Sequence, residues 1–331
     1  MKAYILRRLV QFLPVALGVY GLTFLLFHLR DPLTIAGVHL PQAPLESKQD
    51  WIRAHGYHLP LFLNLPLSEQ MVRADGRVHA EFSERSLFYS QFFVGLRDRV
   101  TLDLGRDRHE NSIVSEMGRR IGPTLSIMIP ALALAVGVAL VAGLLSAYLA
   151  GSRLDRLLLL IAIVLMSLAL PIHILIVNYV VGSVAKLAPI YRDVRLPILV
   201  GFLAGVGAHF RLYRSVFLEQ MRRPYVTAAR ARGISESRVL TRHVLANSLV
   251  PVITSVGMSL PFLIAGSLLL EQFFGIPGMG SMLYDALVGL DFAVLRSFVY
   301  LGALTYLFAS LVTDIAYVFV DPRIAPGDTS S

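Results

Sequence analysis

The chain has 331 residues, of which 55% are apolar and 16% charged, and its mean hydropathy is +0.65. This balance excludes an ordinary water-soluble globular protein and predicts a membrane protein. The net charge is +8, yet many of the arginines flank apolar runs, so charges that set membrane orientation explain the excess better than a nucleic-acid-binding surface does. The absence of cysteine excludes disulfides and thiolate metal sites.

The first predicted element is an apolar helix over residues 9–29, preceded by Lys2, Arg7 and Arg8. A secretory signal peptide also begins with positive charge. However, this run is about twice as long as a signal core, and no small-residue cleavage site follows it. We therefore expect residues 1–29 to form a cytoplasmic amino terminus and a retained first transmembrane helix.

Residues 30–122 are polar and rich in proline, and no segment among them is apolar enough to cross a bilayer. They are predicted to form one extracytoplasmic region. Its apolar segments, 59–67 and 87–96, are expected to pack into a small lobe, while 68–85 resembles a loop or an insertion.

Residues 123–320 hold the rest of the predicted membrane core, which makes the chain an all-α protein of six transmembrane helices. Pro171 and Pro261 are expected to bend their helices, and Gly201 with Gly205 forms a small-xxx-small pattern that permits close helix contact. The five further helices are predicted at 124–150, 157–185, from 196 to about 210, 250–270 and 297–320.

The basic residues test this topology, because cytoplasmic loops carry an excess of Lys and Arg. With six helices and a cytoplasmic start, fourteen basic residues fall on the inner side and four on the short outer loops. Both termini are therefore predicted to be cytoplasmic, including the tail 321–331. The strongly basic segment 211–251 is also placed in the cytoplasm.

Within that segment, Pro224 suits the first turn of a helix, and the alanine-rich residues after it favour a short one. Gly233 supplies the left-handed residue that ends a helix, and Ser235 with Glu236 can cap the next one. The prediction is a helix, a sharp glycine turn and a second helix. Its small alanine face suits a groove on another protein better than a lipid surface, which favours large apolar side chains.

The segment resembles the E-A-A-x-x-x-G loop of ABC importer permeases, and more narrowly the dipeptide/oligopeptide and nickel permease family. Thr227 stands where the general motif has Glu, and Arg232 replaces the usual Lys. Further family motifs occur in order at Leu6–Arg8, Asp103–Gly105, Glu271–Gly280 and Asp321–Arg323. The resemblance implies the type I importer permease fold. The residues that it implies for ATPase coupling are Tyr225, Val226, Thr227, Ala228, Ala229, Arg230, Ala231, Arg232, Gly233, Arg238, His243 and Asn247.

A P-loop ATPase needs a Gly-Lys-Ser/Thr motif, and none of Lys2, Lys48 and Lys186 follows glycine. The chain is therefore expected to be a non-catalytic subunit, with ATP and Mg²⁺ held by other polypeptides. The resemblance implies four partners: two ATPase subunits, a second homologous permease and an extracytoplasmic substrate-binding protein. Because region 68–85 is enlarged, the resemblance does not define the surface on which the substrate-binding protein docks.

A second group of residues could belong to a translocation pathway or gate. Polar groups in membrane helices are costly, so function is a fair default for them, with structural hydrogen bonding as the alternative. The candidates are Pro171, His173, Asn178, Glu271, Pro277 and Gly278. No zinc-type spacing occurs, and His55 with His58 is the only close histidine pair, so no metal site is predicted.

The favoured function is the permease subunit of an ATP-driven importer that carries peptides or similar small solutes. A secondary transporter and a membrane scaffold that recruits a soluble partner remain as alternatives. A secondary transporter often shows two related halves, and none is evident here.

Overall fold

A computed structural model describes residues 2–28, 32–40, 42–54, 56–63, 88–181 and 194–320. Segment 68–85, His55, Lys186, Arg192 and the tail 321–331 lie outside these ranges. The regular secondary structure within them is helical, apart from an isolated bridge between Arg106 and Ser112. The helices are α1 (Lys2–His28), α2 (Pro32–His39), α3 (Leu45–Ala54), α4 (Gln91–Val100), α5 (Ile113–Tyr148), α6 (Arg153–Ser167), α7 (Leu170–Tyr179), α8 (Arg195–Met221), α9 (Pro224–Ala231), α10 (Glu236–Leu245), α11 (Leu249–Ala265), α12 (Leu268–Phe273), α13 (Met279–Gly289) and α14 (Phe292–Val320).

Four of these helices, α1, α5, α8 and α14, are long and apolar enough to cross a membrane. Two further pairs pass the same test together. Helices α6 and α7 meet at an angle of 107°, and α10 and α11 meet at 53°. If each bent pair forms one span, the described residues hold six spans, as the sequence predicts.

The third predicted helix is broken, contrary to the expectation of one helix over 157–185. Helix α6 ends at Ser167, Leu168 and Ala169 are extended, and α7 restarts at Leu170. Pro171 lies in the first turn of α7, where its missing N–H removes no intrahelical hydrogen bond. The proline therefore helps to begin a new helix and does not kink a continuous one.

Other boundaries also differ from those predicted. Helix α5 begins at Ile113 rather than at residue 124, because the charges of its first turns continue the helix instead of interrupting it. Helix α11 ends at Ala265, where Gly266 takes a left-handed φ of +74°. Pro261 lies inside α11, whereas the 53° bend falls between Leu245 and Leu249.

The chain divides into two compact units, one of which comprises residues 11–118 and 285–303. In this unit the described parts of the two predicted apolar segments pack together. The N–H of Phe92 donates to the Leu61 carbonyl at 3.1 Å, and the Ser90 hydroxyl donates to that of Phe62 at 2.7 Å. The rings of Phe62 and Phe92 both contact Phe24 of α1. Aromatic packing against the first helix thus builds the predicted lobe.

The other unit comprises residues 1–10, 119–284 and 304–331, and its core lies among α5, α6 and α8. Glycines allow these helices to approach closely. A Cβ added to Gly201 would lie 3.0 Å from the Cβ of Ala131, and one at Gly205 would lie 3.6 Å from that of Ala135. The small-xxx-small pattern therefore marks a real contact between α8 and α5.

Candidate functional site

The predicted helix, glycine turn and second helix are confirmed. Helix α9 has Pro224 as its first residue and ends at Ala231, and Gly233 follows with a φ of +74°. The chain resumes as a helix at Glu236. Ser235 stands at the cap position, but its side chain makes no capping hydrogen bond, so that detail of the prediction is wrong.

Helix α9 has one buried face and one exposed face. Val226 is fully buried and Ala229 is 3% exposed. Pro224, Thr227, Ala228 and Ala231 are exposed and recur at the spacing that places residues on one side of a helix. We call these four residues the α9 outer face. Their small side chains allow another backbone to come close.

The buried face joins α9 to the membrane helices. Val226 and Ala229 belong to the same apolar cluster as Phe217 of α8 and as Val239 and Val244 of α10. Phe217, Val239 and Val244 are also fully buried. Helix α9 is therefore packed directly against α8 and α10.

Polar contacts fix the start of α9 against the helices on either side. The Tyr225 hydroxyl donates to Gln220 Oε1 at 2.7 Å, and it lies 3.4 Å from the carbonyl oxygen of His243. Asn247 Nδ2 donates to the same carbonyl at 2.5 Å. Burial raises the pKa of the Tyr225 phenol. The structure thus brings together Tyr225, His243 and Asn247, three residues of the predicted coupling site that are distant in the sequence.

An ion pair bridges the glycine turn. Arg230 donates to both carboxylate oxygens of Glu236, at 2.6 and 3.2 Å, and the carboxylate raises the pKa of the guanidinium. The two residues flank Gly233, so the pair holds the end of α9 against the start of α10. Arg232 and Arg238, by contrast, point outward with exposed side chains.

The helix that returns to the membrane is not regular. Residues Val239–Leu245 form a π-helix, a rare form that often occurs at functional sites. Val239 and Val244 of this stretch are buried in the core, and the bend into α11 follows the stretch. His243 lies in the stretch and Asn247 lies in the bend.

The candidate pathway residues fall into two places. Pro171, His173 and Asn178 lie on α7, where Pro171 is exposed, Asn178 half-buried and His173 only 3% exposed. His173 Nδ1 is 3.3 Å from the carbonyl oxygen of Ala169, and its Nε2 has no hydrogen-bond partner among the described residues. The remaining three lie in and after α12.

Glu271 is 1% exposed and is held on both carboxylate oxygens. The Thr124 hydroxyl donates to Oε1 at 2.9 Å, and the N–H of Ser281 donates to Oε2 at 3.0 Å. A Cβ at Gly266 or Gly278 would collide with this carboxylate, so glycine is needed at both positions. Glu271 and Gly278 therefore form one cradle, whereas Pro277 is exposed beside it.

The described residues contain no group of three or more His, Asp or Glu side chains placed to hold a metal ion. They do contain a buried ion pair that sequence reasoning missed. Arg214 Nε lies 2.8 Å from Asp155 Oδ1. The residues are far apart in the sequence, so no local pattern in one chain could reveal the contact.

Comparisons with known proteins agree with this architecture. Residues 139–326 match the family described as "Binding-protein-dependent transport system inner membrane component". The chain is 28% identical to the oligopeptide transport system permease protein AppB of Bacillus subtilis, over 98% of this chain and 99% of that protein. It is 27% identical, with the same two coverages, to the glutathione transport system permease protein GsiC of Escherichia coli K12. The chain therefore belongs to this family of inner-membrane components and is a multi-pass permease subunit of an ABC importer.

Proposed function

We propose that this permease provides the translocation path for peptides or similar small solutes, and that it receives energy from separate ATPase subunits through Tyr225–Gly233. The observation that carries this proposal is the division of α9 into two faces. One face is packed into the core shared with the membrane helices, and the α9 outer face is open to a partner. The solute class is supported by the names of the two relatives, one an oligopeptide permease and the other a glutathione permease.

The proposed complex has two ATPase subunits, a second homologous permease and an extracytoplasmic substrate-binding protein. Each ATPase receives one α9-type helix. The ATPase subunits hold ATP and Mg²⁺, while this chain is non-catalytic, in keeping with the lack of a Gly-Lys-Ser/Thr motif in its sequence. Closure of the ATPase pair on ATP moves the two coupling helices, and the packed core carries that movement to the membrane helices.

The same proposal sets the orientation of the chain. Helix α9 meets an ATPase only on the cytoplasmic side. In the proposed orientation both termini lie on that side, and the predicted extracytoplasmic region lies on the other. The unequal division of basic residues, fourteen on the inner side against four on the short outer loops, supports this orientation.

The test compares two exposed positions that differ in their distance from the proposed contact. Ala228→Asp places a charge on the α9 outer face, whereas Ser237→Asp places one on the neighbouring exposed surface of α10. The permease is expressed with its partner subunits and purified through a tag. ATPase association is measured first, followed by ATP-driven uptake of a mixture of radiolabelled short peptides into proteoliposomes.

We expect Ala228→Asp to lose ATPase association and uptake, and Ser237→Asp to keep both. Wild-type association and uptake in Ala228→Asp would contradict the assignment of the coupling helix. Uptake by the permease without any ATPase would identify a secondary transporter. Association without ATP-dependent uptake would identify a scaffold, provided that mass spectrometry finds no other solute retained by the purified binding protein.

A further inference from the structure

The buried ion pair lies at the point where three helices of the same unit meet. Arg214 of α8 donates to both oxygens of the Asp155 carboxylate, from Nε and from Nη2, each at 2.8 Å. The Ser146 hydroxyl of α5 donates to Asp155 Oδ1 at 2.5 Å. Asp155 itself lies in the first turn of α6. One carboxylate thus joins α5, α6 and α8.

The backbone completes this arrangement. The N–H of Gly151 donates to Asp155 Oδ2 at 2.8 Å, and Gly151 reaches that position with a left-handed φ of +82°. The Asp155 side chain is 4% exposed and that of Arg214 is 18% exposed. A largely buried carboxylate with four donated hydrogen bonds to its two oxygens is held in one geometry, because every alternative leaves a charge unsatisfied.

The pair is connected to α9 through a single rigid helix. Helix α8 runs without a break from Arg195 to Met221, so Arg214 stands about two turns, roughly 10 Å, before its end. Tyr213 and Phe217, which flank Arg214 on α8, belong to the apolar cluster that also contains Val226 of α9. Movement of α9 therefore reaches α8 close to the ion pair.

We propose that Asp155 and Arg214 are positioning residues for energy coupling. They make α5, α6 and α8 move as one body when the partner ATPase displaces α9. A purely apolar contact between helices could slide by small steps, whereas a bidentate buried pair must either hold or break. The inference rests on the proposed function, because it concerns how the movement of the coupling helix reaches the translocation path.

The test separates coupling from assembly and from stability. Asp155→Asn removes the negative charge, and Arg214→Lys keeps the positive charge but loses the planar fork that binds both oxygens. Glu219→Gln on α8 is the matched control, since it removes the exposed pair between Glu219 and Arg223, whose side chains are 63% and 54% exposed. Each variant complex is measured for ATPase association, thermal unfolding, ATP hydrolysis and uptake of the radiolabelled peptide mixture.

We expect Asp155→Asn to retain ATPase association while the number of peptides transported per ATP falls about tenfold, a factor within the usual range for coupling between sites. Arg214→Lys should give an intermediate ratio, and Glu219→Gln the wild-type ratio. If Asp155→Asn does not fold, Ser146→Ala, which removes one hydrogen bond to the pair, should still lower the ratio. The inference would be overturned by a wild-type ratio in Arg214→Lys together with a wild-type ratio in Asp155→Asn or in Ser146→Ala.

The same experiment distinguishes failure of the inference from failure of the proposed function. A wild-type permease that binds no ATPase contradicts the proposed function, and the inference falls with it. A wild-type complex that transports with ATP, together with fully coupled variants of the pair, contradicts the inference alone.

Discussion

The hydroxyl of Thr124 donates a hydrogen bond of 2.9 Å to Glu271, and its oxygen accepts one of 2.7 Å from the N–H of Met279. Thr124 is fully buried and Glu271 is 1% exposed. One side chain of α5 thus fastens both the helix α12 and the start of α13. The glycine- and proline-rich turn between them is tied to α5, so we expect it to move with that helix and not as an independent flap.

Thr124→Val should destabilise the protein. Valine has nearly the same shape as threonine but cannot donate to Glu271 or accept from Met279, and it leaves buried polar groups unsatisfied. The expected loss is about 1 to 3 kcal/mol in the free energy of unfolding. Thr124→Ser keeps the hydroxyl and should unfold closer to the wild-type temperature in detergent. Equal unfolding temperatures for Thr124→Val and wild type would show that these hydrogen bonds contribute nothing.

Gly233→Ala should destabilise the turn after α9 although the side chain has room. No atom lies within 4 Å of a Cβ added there, so the expected loss in the free energy of unfolding comes only from backbone strain at a φ of +74°. That cost is about 1 to 2 kcal/mol for a residue with a Cβ, and it is smaller for asparagine. We therefore expect ATPase association to fall in the order glycine, asparagine, alanine. Equal association of the alanine and asparagine variants would contradict this explanation.

Gly257→Ala should disrupt the packing of α11 against α14. An added Cβ would collide with the Thr313 hydroxyl, and interiors that are already close-packed lose about 1 to 3 kcal/mol when overfilled. Gly137→Ala on α5 is the matched control, because nothing lies within 4 Å of its added Cβ. Thermal unfolding in detergent should separate the two variants, and Thr313→Ala should partly rescue the first. A Gly257→Ala protein as stable as Gly137→Ala would refute the close contact.

Glu236→Gln should change stability very little. The Arg230–Glu236 pair is short, but its side chains are 43% and 34% exposed. Exposed pairs contribute roughly 0.2 to 1 kcal/mol and weaken with salt. A loss of unfolding temperature as large as that of Thr124→Val would mean that the pair, and not Gly233, determines the turn.

Local sequence signals predicted the structure of residues 224–236 well. Pro224, the alanines and Gly233 act through their own backbone preferences, so the short helix and its glycine turn could be read directly from the chain. Apolar length likewise predicted the four spans that are single helices and the two bent pairs. These properties depend on neighbouring residues only.

Most of the features that sequence reasoning missed depend on distant contacts. The break before α7 lies in an uncharged run, and a proline there is equally compatible with a kink and with a new helix start. Two contacts join residues from different helices: the ion pair of Asp155 with Arg214, and the hydrogen bond of Thr124 to Glu271. A single sequence gives no sign of such partners, because each residue is also plausible in a loop.

The most direct test of the central claim uses two neighbouring alanines. The natural chain has no cysteine, so Ala228→Cys and Ala229→Cys each introduce the single thiol of the permease. In the permease alone, a maleimide should label Ala228→Cys, on the α9 outer face, and should barely reach Ala229→Cys, which is 3% exposed. Addition of the ATPase subunits should protect Ala228→Cys from the label and permit its cross-linking to an ATPase cysteine. Labelling of Ala228→Cys that is unchanged by a bound ATPase would contradict the assignment of α9 as the coupling helix.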